Sequence, residues 1–168
     1  MPIHVLLTGG TIDKHYHECN GELSFSETHL PTMLAQARCT LDLHMDTLML
    51  KDSLAMQDSD RQTILNACQQ SPHKMIVITH GTDTMVDSAQ VLGQALQQQT
   101  LQDKTIVLLG AMIPYELKQS DSLFNLGSAL TAAQCLTQGV YICMNGQVFS
   151  WDNVMKNRGK GVFCEQNP

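Results

Sequence analysis

The 168-residue chain has no apolar run approaching the roughly 20 residues of a membrane-spanning helix. Its opening, Met1-Pro2-Ile3-His4-Val5, lacks the charged start and long apolar stretch of a secretory signal. A cytoplasmic location with no membrane partner is therefore expected. The ten basic residues are scattered and the net charge is −6, so the clustered basic face of a nucleic-acid binder is missing too. Six cysteines (19, 39, 68, 135, 143 and 164) form no CxxC pair and no regular spacing. That argues against a zinc or disulfide framework and for free thiols, with Cys68, Cys135 and Cys143 set in apolar segments as small hydrophobes. Aromatic residues are few (one Trp, three Tyr, four Phe), which speaks against a flavin site. There is no repeat, low-complexity tract or linker, so residues 1–168 read as one domain.

What is present is an alternation of short apolar runs and helical patterns. Strands are expected at 3–8, 41–50, 75–79, 105–109 and 139–144, with a shorter piece around 148–151. Helices are expected at 27–38 (Pro31 near its first turn), 59–70, 84–98 and 121–137. Ser59-Asp60-Arg61-Gln62 reads as a capping box, and Ile64, Leu65 and Cys68 follow at helical spacing. Continuous apolar strands separated by helices predict a three-layer α/β domain with a mostly parallel, flavodoxin-like sheet covered on both faces. Residues 12–26 are polar and aperiodic, and are expected to form a loop acting as a lid.

Two peptides rich in threonine and glycine stand where strands should end. Thr8-Gly9-Gly10-Thr11 follows Ile3-His4-Val5-Leu6-Leu7, and His80-Gly81-Thr82-Asp83-Thr84 follows Met75-Ile76-Val77-Ile78-Thr79. Ligands of open α/β sheets bind outside the carboxyl ends of the strands, so both turns can face one pocket. A threonine hydroxyl becomes a nucleophile when a neighbour removes its proton, and glycine lets backbone N–H groups approach a ligand. Each turn also has a plainer reading. The first can be a tight strand–helix connection; it is no phosphate loop and lacks the third glycine of a dinucleotide fingerprint. In the second, Asp83 can anchor a ligand amine, orient a lysine or merely cap the next helix. His80 is expected to be satisfied by backbone rather than catalytic, and His15 and His17 to sit on a solvated loop. Lys156, after the last long strand, can reach the same crevice.

Taken together these residues resemble the bacterial-type L-asparaginase/glutaminase family. The matching segments are Thr8-Gly9-Gly10-Thr11-Ile12, Asp52-Ser53, Ile78-Thr79-His80-Gly81-Thr82-Asp83-Thr84-Met85, Gly110-Ala111-Met112-x-Pro114, Ser120-Asp121-x-x-Phe124-Asn125-Leu126 and Val140-Tyr141-Ile142-Cys143-Met144-Asn145. They occur in the family's order across nearly the whole chain.

The resemblance implies attack on a side-chain amide, release of ammonia and hydrolysis of an acyl-enzyme ester, with neither cofactor nor metal. It implies Thr11 as nucleophile, Tyr16 above it, and Thr82, Asp83 and Lys156 as a proton relay. Gly10, Asp52, Ser53, Gly81, Thr82, Asp83 and Ala111 would hold the substrate, Asp52-Ser53 at its α-carboxylate. Backbone N–H groups near Gly10, Thr11 and Thr82 are the candidates for the oxyanion. A homodimer acting on a small amino-acid amide is implied as well. This chain resembles the family's short members, which consist of the first domain alone; longer members add a second domain whose carboxylate, from a partner subunit, helps bind the substrate amine. Ile113 stands where the family usually has arginine, and Asp52 where many long members have glycine. Losing the amine's charge partner costs about 2–5 kcal/mol where the pair is desolvated, which implies weak substrate binding unless Asp52 or a neighbouring subunit compensates.

Overall fold

The computed structural model describes residues 1–167. Its central sheet has six strands: β1 (Ile3–Gly9), β4 (Leu43–Lys51), β5 (Met75–Thr79), β6 (Thr105–Leu109), β7 (Gly139–Met144) and β8 (Gln147–Ser150). Their order is β4-β1-β5-β6-β7-β8. The first five are mutually parallel and β8 returns antiparallel to β7. This is the flavodoxin-like doubly wound order with one added edge strand, and the sheet's switch point falls between β1 and β5.

Strand alternation sends successive side chains to opposite faces, and both faces are apolar here. Leu6, Ile76 and Ile78 meet α2 (Asp58–Gln70) and α3 (Met85–Gln97) through Ile64 and Leu92. Val5, Leu7 and Val77 meet α1 (Leu30–Gln36) and α4 (Ser122–Cys135) through Leu30, Met33 and Leu126. Full burial of such side chains contributes about 1.5–3 kcal/mol each, so two covered faces hold the strand ends rigidly in register.

Several local expectations change. Residues 12–26 are no structureless loop: after a short 3₁₀ turn at Thr11–Asp13, β2 (His15–His17) and β3 (Glu22–Ser24) form an antiparallel hairpin. A second hairpin, β9 (Met155–Asn157) with β10 (Val162–Cys164), follows the sheet and was not anticipated. The first helix is only Leu30–Gln36, because the residues just before it are used to hold Asp13. The box on α2 starts earlier than Ser59; the Gln57 N–H donates to the Asp60 carboxylate at 2.9 Å. All six cysteines are free thiols, but Cys135 is exposed on the last turn of α4. Burial pushes the Cys68 thiol up to about 12 and the Cys143 thiol up to about 11, which makes both inert fillers. No helix among the described residues is long and apolar enough to cross a membrane.

Asp13 ties the turn after β1 to the start of α1. Its carboxylate is fully buried, and Oδ1 accepts from the Thr28 hydroxyl at 2.9 Å and the His29 N–H at 3.0 Å. Oδ2 has no partner among the described residues. Burial outweighs these bonds and raises the carboxyl above its ordinary value of 3.8. Between the ordinary and the raised value the folded chain keeps a proton that the unfolded chain has released. Stability therefore falls as pH rises through that window. In Asp13→Asn the carbonyl still accepts both bonds but carries no charge. Urea unfolding at a series of pH values is expected to show the variant gaining on the parent from acid toward neutral pH, and parallel curves would refute the assignment.

Candidate functional site

Parallel pairing runs in register from Ile3 with Met75 to Leu7 with Thr79, so the residues after Leu7 and after Thr79 leave it side by side. Beyond it, the Thr8 hydroxyl donates to the Thr79 carbonyl at 2.6 Å, and the Thr8 N–H donates to the Thr79 hydroxyl at 3.3 Å. The two turns then touch. Gly10 has φ +85°, and a Cβ there would lie 2.4 Å from the Gly81 nitrogen. A Cβ on Gly81 would in turn lie 2.6 Å from the Ser53 side chain. Only bare backbone permits this approach. The 3₁₀ turn that opens at Thr11 thus starts beside the turn that carries Thr82. On the other flank the His80 N–H donates to the Leu109 carbonyl at 2.8 Å, which draws Gly110 and the buried Ala111 alongside.

Thr82 is buried, and its hydroxyl oxygen accepts from Lys156 Nζ at 2.8 Å. The same ammonium donates to Asp83 Oδ1 at 2.8 Å. The Thr82 hydroxyl proton points to Met112 Sδ at 3.7 Å. A continuous Thr82–Lys156–Asp83 chain therefore stands at the end of β5. Asp83 forms no cap on α3; its carboxylate is taken by cations instead. The second cation is Arg158, whose guanidinium reaches Asp83 Oδ1 and the Asp83 carbonyl, each at 3.1 Å. Sequence reasoning missed Arg158; its spacing of two from Lys156 on a strand-like segment was the available signal.

Lys156 is delivered by the second hairpin. Phe163, opposite Lys156 in the β9–β10 register, is 2% exposed and anchors the hairpin in the core. The Phe163 N–H donates to Asn145 Oδ1 at 3.3 Å, and the Asn145 N–H to Asn125 Oδ1 at 3.2 Å. Asn125, fully buried, donates to the Gly110 carbonyl at 3.0 Å and to Asp121 at 2.9 Å. Asp121 in turn receives the N–H groups of Met112 and Ile113. This amide network fastens the hairpin and the loop after β6 to one another.

Asp52 lies after β4. Its carboxylate accepts from the Leu54 N–H at 3.0 Å and from Lys14 Nζ at 2.6 Å. The Lys14 contact holds the Asp52 carboxyl below the usual carboxylate range. Ser53 is buried against Gly81, and its carbonyl accepts from the Thr84 hydroxyl at 2.9 Å. Tyr16 is not brought to Thr11 by any hydrogen bond. It is 47% exposed on the first hairpin, with its N–H donating to Glu116 Oε2 at 2.7 Å. Neither its hydroxyl nor that of Thr11 has a partner among the described residues. His80 is fully buried between the Gly81 carbonyl and the Ser88 hydroxyl, each at 2.7 Å, and burial pushes it down to about 4. It braces the turn as a neutral ring. His15 departs from the solvated-loop expectation: it stacks on His29 with ring centres 3.9 Å apart.

Comparison with known proteins agrees with this layout. The family model described as Asparaginase, N-terminal matches residues 2–165. The L-asparaginase of Thermococcus kodakarensis is 30% identical over 171 residues, covering 99% of this chain and 51% of that protein. A glutamyl-tRNA(Gln) amidotransferase subunit of Methanococcus vannielii is 28% identical over 170 residues, covering 95% of this chain and 37% of that protein. The chain thus spans about half the length, or less, of these relatives. Among solved structures, the thermostable L-asparaginase from Thermococcus kodakarensis superposes with TM-score 0.82 at 28% identity, covering 100% of this chain and 52% of that one. A probable cytoplasmic L-asparaginase from Campylobacter jejuni gives 0.80 at 26% identity, covering 98% and 53%. By sheet order, by the two touching turns and by these matches, the chain belongs to the asparaginase family and corresponds to that family's N-terminal domain.

Proposed function

We propose that this chain is an L-asparagine amidohydrolase that yields L-aspartate and ammonia and needs no cofactor. The observation that carries the reading is the Thr82–Lys156–Asp83 chain, formed between residues 74 apart in sequence, beside the Gly10–Gly81 contact that sets Thr11 next to it. Thr11 Oγ attacks the side-chain amide carbon, the C–N bond breaks, and the hydroxyl proton leaves on ammonia. Water then hydrolyses the ester, releasing aspartate and restoring the hydroxyl. Tyr16 orients the attacking hydroxyl once the hairpin folds down, consistent with its present exposure and free hydroxyl. The relay of Thr82, Asp83 and Lys156 moves the proton and activates the second attack. N–H groups around Gly10, Thr11 and Thr82 face the developing oxyanion, and Gly81, Ser53 and Ala111 form the wall of the substrate pocket. Arg158 holds the Asp83 side chain and its backbone carbonyl in place.

A cytoplasmic homodimer is the setting we propose. Phe124 is 62% exposed and Val148 44% exposed beside a groove of about 570 Å³ that also involves Leu123 and Gly127, an apolar strip suited to a second copy. A second reading keeps the chemistry and changes the amide, to L-glutamine or to a larger substrate. The amidotransferase relative favours including it.

Thr11→Ala and Thr82→Ala are each expected to lower ammonia release from L-asparagine by on the order of 10³-fold or more, with unchanged circular dichroism. Release at the parental rate from either variant would refute the nucleophile–relay assignment, and a faster parental rate on L-glutamine would favour the second reading. Because Lys14 already matches the Asp52 charge, Asp52 does not compensate at the substrate amine. The 168-residue chain is expected to show a millimolar KM for L-asparagine, and a micromolar value would overturn that. Phe124→Glu is expected to run as a monomer in light scattering where the parent runs as a dimer; a monomeric parent would end the dimer reading.

A further inference from the structure

At the opposite end of the sheet from the threonine turns, three metal-binding side chains share one face. His4 on β1 pairs in register with His44 on β4, and Asp46 follows His44 by two residues. Parallel register and strand alternation therefore aim all three side chains the same way. His4 Nε2 lies 2.8 Å from Asp46 Oδ2, and His44 Nε2 lies 3.3 Å from the same oxygen. The candidate ligand atoms of the three residues all fall within 4.8 Å of one another. They open into a cleft of about 430 Å³ that is also lined by Gln70 and Ser71 from the end of α2.

We propose that His4, His44 and Asp46 form a binding site for a divalent transition-metal ion of the zinc class. Zinc takes imidazole nitrogen and carboxylate oxygen at about 2.0–2.2 Å, so a tetrahedral site separates its ligand atoms by about 3.3–3.5 Å. The His44–Asp46 pair already has that spacing, and the His4–Asp46 pair needs to open by about half an ångström. Asp46 is half exposed and His44 more so, which leaves both side chains room to adjust. Calcium and magnesium prefer all-oxygen shells, which two imidazoles do not supply.

The outer shell supports the same assignment. His4 is buried, and its Nδ1 sits 2.8 Å from the Ser71 hydroxyl. Metal ligation at Nε2 displaces the proton that now bridges to Asp46 and leaves the ring proton on Nδ1. A hydroxyl both donates and accepts, so Ser71 bonds either tautomer. Ser71 is itself held by the His73 N–H at 3.2 Å. The His73 ring stands 5.7 Å from His4 and 5.8 Å from His44 between centres, close enough to supply a fourth ligand after a side-chain rotation, with water as the other occupant of that position. An ion here would clamp edge strand β4 to central strand β1.

The test is titration of the full chain with zinc chloride in a calorimeter, together with cobalt(II) absorption and a thermal melt. One equivalent is expected to bind with a tetrahedral cobalt spectrum and a raised melting temperature. His44→Ala and Asp46→Asn, both at exposed positions that spare the core, are each expected to weaken that equivalent by at least about tenfold and to abolish the thermal shift. His15→Ala is the control, because His15, His29 and Glu116 form a separate cluster near the hairpin. Failure to bind zinc, binding unaltered in both sheet variants, or binding lost only in His15→Ala would each overturn the proposal and leave the trio a polar anchor.

Discussion

Two backbone segments with no side chains between them decide the shape of this site. Because the pairing of β1 with β5 runs in register up to Leu7 and Thr79 and Gly10 lies directly on Gly81, the segments bearing Thr11 and Thr82 are joined as one surface. Everything else arranges itself around that contact. Ser53 closes against Gly81 from the side of β4, and Gly110 and Ala111 close from the side of β6. A methyl group at either glycine has no space short of moving main chain. A few tenths of an ångström at this seam would displace both threonines relative to one another.

Charge is distributed with equal economy. Two acidic groups at the crevice are matched by cations from distant parts of the chain: Asp83 by Lys156 and Arg158, Asp52 by Lys14. Arg158 is exposed and its pair adds little to stability, so its value lies in orientation. Lys156 is held between two acceptors and keeps only one further donor direction free, so its ammonium is aimed rather than mobile. Arg158 shares the Asp83 oxygen that Lys156 holds and adds a bond to the Asp83 carbonyl, so the side chain and its backbone are fixed together. Asp13, by contrast, is buried with one oxygen unpaired among the described residues, and the turn that carries Thr11 is fixed at a cost in stability.

Most of the sheet was legible because its strands are buried on both faces and read as unbroken apolar runs. The two turns were legible because threonine and glycine stand together at two strand ends and because the segments around them resemble one family in order. The hairpins were not. Residues 15–24 are too short and too polar to show a two-residue period; the three-residue strands within 155–164 are too short to show one, and only Phe163 among them is buried, with turns at Gly21 and Gly161 closing the two pairs. Arg158 was missed because the hairpin that sets it two residues after Lys156 was not recognised. The grouping of His4, His44 and Asp46 is a different case: it follows from the register of two parallel strands far apart in sequence, which no local pattern encodes. Tyr16 was legible as a residue of the polar segment after the first turn, but its distance from Thr11 depends on the hairpin's angle.

The hairpin that delivers Lys156 also orders events in time. Lys156 lies 74 residues beyond Thr82, and its seat depends on Phe163 reaching the core and on Asn145 and Asn125 being in place. On the ribosome the chain emerges from its N-terminus. The sheet and both threonine turns therefore leave the exit tunnel while the ammonium that joins Thr82 to Asp83 is still to come. Until that hairpin docks, the nascent protein holds its hydroxyls side by side without the cation that couples them. The hairpin that joins Thr82 to Asp83 is thus made after both of the turns it reaches.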